Sequence, residues 1–154
     1  MAVIIEIEGV IATPSASDPA TTKRMKAVKL SGSEAELRVR AAFSTAGVRY
    51  RLNDCRFPGT PDLCNATRNI AVFVHGCFWH RHSGCCKATT PKKNRRFWLQ
   101  KFESNKKRDR SKARKLTRMG FSILTIWECE TKSPERLQRK VDSYLDALGR
   151  RRAS

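Results

Sequence analysis

Histidines and cysteines crowd the middle of this 154-residue chain, in the stretch His75-Gly76-Cys77-Phe78-Trp79-His80-Arg81-His82-Ser83-Gly84-Cys85-Cys86. Cys77, His82 and Cys85 fall within nine residues, and Cys129 stands far along the chain. Two cysteines, one histidine and a distant fourth cysteine suit a closed tetrahedral zinc shell, because thiolate and imidazole are ligands that ion prefers. Four protein ligands leave no open position for water, so such a zinc is a staple. Spacing does not separate Cys86 from Cys85 for the third position, and His80 competes with His82 for the imidazole. Cys55 and Cys64 have no partner pattern and read as structural residues.

Asp62 follows the turn Phe57-Pro58-Gly59-Thr60-Pro61, at the start of a strand, where a carboxylate is well displayed. A hard cation such as magnesium takes oxygen ligands and keeps several waters, so one or two protein oxygens suffice. With His82 given to zinc, His75 and His80 remain as candidate general bases or acids near neutral pH. Each also has a plain structural reading. Asp62 alone is a turn carboxylate, either histidine a hydrogen-bonded structural residue, and Glu36 the glutamate of a capping box headed by Ser33.

Around these residues the pattern predicts an α/β domain. Ser33-Glu34-Ala35-Glu36 opens a helix whose apolar positions are Val39, Ala42, Phe43 and Ala46, with Gly47 as its stop. Residues 48–52 alternate like a half-buried strand, and Ile70–Val74 is a short continuous apolar run suited to a central one. Residues 95–118 lack glycine and proline and predict the longest helix. Phe121–Trp127 reads as a strand with Ile123, Phe121 and Thr125 on one side. Ser133-Pro134 starts a last helix with the stripe Leu137, Val141, Leu145 and Leu148. The order α-β-β-α-β-α predicts one mixed central sheet flanked by helices. Residues 1–24 read as a flexible arm, 25–149 as the zinc-containing domain and 150–154 as a basic tail.

Thirty-two Lys+Arg against 14 Asp+Glu give a formal charge of +18. That excess opposes compactness, so it implies a polyanionic partner, nucleic acid first and an anionic membrane surface second. Residues 92–118 hold 13 basic residues against only Glu103 and Asp109, which predicts a phosphate-contact surface. No run of 18 apolar residues exists to span a bilayer. Ala2-Val3-Ile4-Ile5 is interrupted by Glu6 and Glu8 and lacks a basic leader, so it makes a poor signal peptide. The expected location is the cytoplasm, with the DNA, where cysteines are thiols or metal ligands. Phe78-Trp79 has broad flat faces able to replace base stacking, whereas Phe97 and Phe102 read as core.

The string Phe57-Pro58-Gly59-Thr60-Pro61-Asp62, followed by Val72-Phe73-Val74-His75-Gly76-Cys77-Phe78-Trp79-His80-x-His82, resembles the very-short-patch repair mismatch endonucleases. Phe97-Trp98-Leu99-x-Lys101, Asn105, Arg108-Asp109 and Trp127-Glu128-Cys129 continue the resemblance, in order, over about residues 23–131. It implies a restriction-endonuclease-like core that nicks DNA beside a thymine mispaired with guanine. Asp62 would bind the catalytic magnesium together with the Val74 main-chain carbonyl. His80 would activate the attacking water, with His75 and Asp109 in support and Glu36 as a further acidic residue. Phe78, Trp79 and Trp98 would form a wedge inserted beside the mismatch. Lys101 and Asn105 would contact the mispaired bases, and Met25 would approach from the minor groove. Two departures stand out: Val74 occupies a position where relatives have threonine, and the His82-to-Cys85 spacing is one residue longer than in some of them.

The resemblance implies a monomer acting on duplex DNA with a T:G mismatch, with mismatch-repair proteins and a DNA polymerase completing the repair. A homing or phage nicking endonuclease with another target is a second reading. A zinc-stabilised DNA-binding module without catalysis is a third, but binding alone would not need Asp62 beside a phosphate.

Overall fold

A computed structural model describes the backbone of residues 32–153 and the side chains of residues 32–150. Met25, the expected N-terminal arm and the side chains of the basic tail after Arg150 lie outside the described residues.

The first helix, α1, runs Glu34–Thr45 and opens as its sequence requires. Ser33 accepts a hydrogen bond from the Glu36 amide, and the Glu36 carboxylate accepts one in return from the Ser33 amide. Two of the donors a helix start leaves unpaired are thereby satisfied. At the other end Gly47 takes φ +68°, its amide bonds to Ser44 and the Val48 amide reaches Phe43. This left-handed exit turns the chain so that Val48 and Phe43 meet in one apolar cluster. Helix α2, Arg95–Arg118, ends the same way: Gly120 at φ +84° returns Phe121 to Leu116.

The sheet has four strands in the order β1 (Arg51–Leu52), β2 (Leu63–Asn65), β3 (Ile70–His75) and β4 (Ser122–Trp127). The first three are antiparallel neighbours, and β4 runs parallel to β3 from Ile70 opposite Ser122 to His75 opposite Trp127. Helix α2 forms the crossover between these parallel strands, as a parallel pair demands. Strand β1 is shorter than the pattern of residues 48–52 suggests. Val48 is committed to the exit of α1, and the three-residue β2 offers partners only for Arg51 and Leu52.

One face of the sheet packs Leu63, Ile70, Val72, Leu124 and Ile126 against Val39 and Phe43 of α1 and Leu137 and Val141 of α3 (Pro134–Ala153). The other face packs Ala71, Phe73 and Ile123 against Leu116 of α2, with Phe121 and Phe57 beside them. The expected side for Phe121, Ile123 and Thr125 is therefore the α2 side. No helix among the described residues is long and apolar enough to cross a membrane.

Candidate active site and metal centre

The ligand atoms of Cys77, His82, Cys85 and Cys129 all lie within 4.8 Å of one another. Cys77 follows β3, His82 and Cys85 sit on the loop beyond it, and Cys129 lies in a 3-10 turn after β4 (Glu128–Lys132). The parallel pairing that sets His75 opposite Trp127 is what carries Cys129 to the loop. His82 Nδ1 is 3.2 Å from Cys129 Sγ and 3.7 Å from Cys77 Sγ, and its ring stacks on Trp127 at 4.3 Å. Of the alternatives left open by spacing, Cys85 joins this cluster while Cys86 is exposed, and His82 joins it while His80 faces a different cluster. Burial pushes the Cys77 thiol up to about 12, whereas the Lys87 backbone N–H holds Cys85 below the ordinary thiol range. Four converging sulfur and nitrogen donors fit a thiophilic cation, and such an ion reverses the effect of burial by favouring the thiolate. Cys64 is buried in the core, but Cys55 stands at the surface.

Arg81 separates His80 from His82 and adopts φ +54°, a conformation that costs a residue with a Cβ. The turn lets two histidines only two residues apart serve two different clusters. Arg81 Nη1 donates to the Ala88 carbonyl at 2.9 Å and to Thr90 Oγ1 at 2.7 Å, and its guanidinium lies 5.0 Å from the Phe102 ring centroid. The side chain thus clamps the cysteine loop to α2. No motif in the sequence marks it.

Asp62 Oδ2 accepts a 2.7 Å hydrogen bond from the Val74 amide across the β2–β3 pair. Burial raises its carboxyl above the ordinary range; the Val74 N–H opposes this, and the Glu36 charge adds to it. The three lie together with Trp79, His80, Lys87 and Glu128 in a cavity of about 810 Å³. Glu36 itself is engaged by Gly32, Ser33 and Arg40, so its capping role is realised whatever else it does. Lys87, which the sequence reading did not single out, pairs with Glu128 on the cavity wall.

On its other side His80 borders a second cavity, of about 550 Å³, between α2 and the sheet. There His80 Nδ1 lies 2.6 Å from Asp109 Oδ2, and His75 stacks on His80 with centroids 3.9 Å apart and planes 8° apart. Burial works against the Asp109 charge, but the hydrogen bond and charge of His80 outweigh it, and the carboxyl is lowered. Burial, with His80 adding, depresses His75 to about 4, so it is neutral at ordinary pH. Asp62, His75, His80 and Asp109, scattered over 48 positions, thus share one end of the parallel strand pair.

Residues 16–87 match the family model described as DNA mismatch endonuclease Vsr. The type II nicking enzyme V.NmeAIP of Neisseria meningitidis serogroup A is 42% identical over 73% of this chain and 83% of its own length. The type II nicking enzyme V.XorIIP of Xanthomonas oryzae is 35% identical over 79% and 89%. The DNA mismatch endonuclease Vsr of Escherichia coli K12 is 34% identical over 78% of this chain and 77% of its own.

The chain belongs to the Vsr DNA mismatch endonuclease family.

As a Vsr-family nuclease it acts on DNA, and its aromatic residues gather on the same loop and helix as the histidines. Phe78 lies 5.2 Å from Trp79, 5.4 Å from Trp98 and 5.3 Å from Phe102, each edge-on. Phe102 is buried, as read from the sequence, whereas Phe78, Trp79, Trp98 and Phe97 keep part of their surface exposed. Lys101, Asn105 and Asp109 follow one line on α2. Lys101 is partly exposed. Asn105 is only 8% exposed; its Nδ2 donates to the Trp79 carbonyl at 2.9 Å, and its Oδ1 accepts from Arg108. In this structure the Asn105 amide ties the aromatic loop to α2.

Proposed function

We propose that this Vsr-family endonuclease nicks one strand of duplex DNA beside a T:G mismatch by magnesium-dependent phosphodiester hydrolysis, on a restriction-endonuclease-like core held by a structural zinc. The observation that carries the reading is His80, backed by Asp109, on the wall of the cavity that contains Asp62. Asp109 holds the Nδ1 proton, which leaves Nε2 to accept a proton from the attacking water. His75, neutral and stacked on His80, keeps the ring in place without adding a competing positive charge. The Val74 amide fixes one oxygen of Asp62, so the other is presented to a cation, with the Val74 carbonyl as second protein ligand. Oxygen donors on a desolvated carboxylate suit a hard ion, and a valine supplies that carbonyl as well as a threonine would. Magnesium bound there would stabilise charge developing on the phosphate oxygens. Glu36 deepens the negative potential that attracts it.

Phe78, Trp79 and Trp98 would enter the stack beside the mismatch, where opening a step costs less than at a matched pair. Lys101 and Asn105 would meet the mispaired bases from α2, and Met25 would reach them from the other groove. Zinc at Cys77, His82, Cys85 and Cys129 would hold the loop that bears Phe78, Trp79 and His80. The nick would then be handed to mismatch-repair proteins and a polymerase.

The test uses labelled duplexes carrying a T:G pair, each other mismatch or none, with and without magnesium. Asp62→Ala should abolish nicking and leave binding to the T:G duplex intact, since the lost charge repelled phosphate. His80→Ala should slow nicking about 100- to 10,000-fold, the scale of losing a general base. Wild-type nicking by Asp62→Ala would remove the assignment, and equal cutting of matched duplex would remove the mismatch.

A further inference from the structure

We propose that His75, His80 and Asp109 form a second transition-metal site, distinct from the Cys77 centre and from Asp62, and that a zinc-like ion bound there switches nicking off. The inhibition rests on the role given to His80 above; the binding does not. One ligand atom from each of the three side chains falls within 4.8 Å of the other two. All three side chains line the cavity of about 550 Å³ beneath α2, so an ion can reach them without passing Asp62, which lines the other cavity. Two imidazoles and one carboxylate suit zinc and its neighbours in the transition series and suit magnesium poorly, because magnesium prefers oxygen. Donors around zinc stand roughly 3 to 3.5 Å apart at bond lengths near 2.0 to 2.2 Å. The 2.6 Å His80–Asp109 contact would open slightly and the His75 donor would close in from within 4.8 Å, in reach of partly exposed side chains.

Inhibition follows from the two nitrogens of one ring. The nitrogen of His80 next to Asp109 is Nδ1. An ion joining these residues takes the Nδ1 lone pair, and the proton that sat there must leave to solvent or move to Nε2. A neutral imidazole ligated through Nδ1 carries its proton on Nε2, so it has no lone pair to accept one from water. The base is lost although its side chain has scarcely moved.

The chain contains only three histidines, 75, 80 and 82, which makes the experiment clean. The zinc-containing protein is dialysed against excess zinc, and metal per chain is counted by mass spectrometry; single-turnover nicking of a T:G duplex is followed in excess magnesium with rising zinc. Wild type should reach two zinc per chain while nicking falls ~100-fold or more, as for loss of a general base. Asp62→Asn should still take two, and His75→Ala and Asp109→Asn should stop at the one structural zinc, which also reports that they fold. A second zinc lost in Asp62→Asn, or kept in His75→Ala, overturns the site. A wild-type chain that stops at one zinc yet nicks in magnesium overturns this proposal alone. A second zinc that loads with nicking unchanged overturns the inhibition and, with it, His80 as base.

Discussion

Asp62 brings its carboxylate into a cavity shared with Glu36, where burial and that neighbour both favour the protonated form. A folded-state value above the unfolded one means that the folded chain holds the proton more tightly, so stability falls as pH rises through that interval. Without magnesium, Asp62→Asn should therefore melt higher than wild type at neutral pH, with the gap closing as pH drops toward the ordinary carboxylate range. Added magnesium should raise only wild type. Thermal melts in magnesium-free buffer with the zinc retained would check this, and a less stable Asn variant would mean that the Val74 hydrogen bond outweighs burial. Trp79 offers a second residue-scale test. Trp79→Ala should weaken binding to T:G duplex more than to matched duplex, because the ring enters fully only where the step opens cheaply; equal losses would assign it to general affinity. The convergence of Cys77, His82, Cys85 and Cys129 was legible because cysteine and histidine are rare and their spacing is restrictive. The choice between Cys85 and Cys86 was not, since adjacent residues share a spacing and differ only in which one turns inward. Arg81 was invisible, because a left-handed arginine has no signature in the sequence.

Elements read more evenly. The bounds of α2 follow from an uninterrupted run without glycine or proline and from Gly120 behind it, and those of α1 from a capping box and Gly47. Strands β1 and β2, at two and three residues, fall below the length at which alternation means anything; β2 joins the edge of β3, and β1 joins β2 in turn. The cysteine loop is held from outside by Cys129 after β4 and from within by Arg81, which bonds Ala88 and Thr90 and also lies over Phe102 of α2. Cys129→Ser should lose the zinc and much of the folding stability, whereas Cys86→Ser should keep both, as metal analysis and melting would report. Arg81→Ala should retain zinc but slow nicking, with the rate constant falling more than affinity for DNA. Equal losses in the two would mean that the clamp serves binding rather than the placement of His80.

For the whole molecule the charge balance was the plainest message in the chain. The 13 basic residues between 92 and 118 lie mostly on exposed positions of α2 and the segment leading into it. Affinity for duplex should fall with salt at a log–log slope of about −4.5 to −7, for some five to eight phosphates neutralised at −0.9 each. Fluorescence anisotropy across a salt series would measure it, and a flat response would assign the charge another purpose. Sheet topology was only partly legible. The order of elements implied one mixed sheet, but nothing in the composition said which strands run parallel or that the short strands would lie on one side of that pair.

His80 and His82 stand two residues apart on a turn that sends one to the cluster of the proposed base and the other to the proposed zinc site. Under the proposed function, a copy without its zinc would keep the Asp109 and His75 contacts of the base but lose the anchor of the loop that carries it. A nicking enzyme is hazardous if it cuts before it can discriminate. On the proposed reading, maturation and armament would then be linked events, and a half-made copy would fail safe.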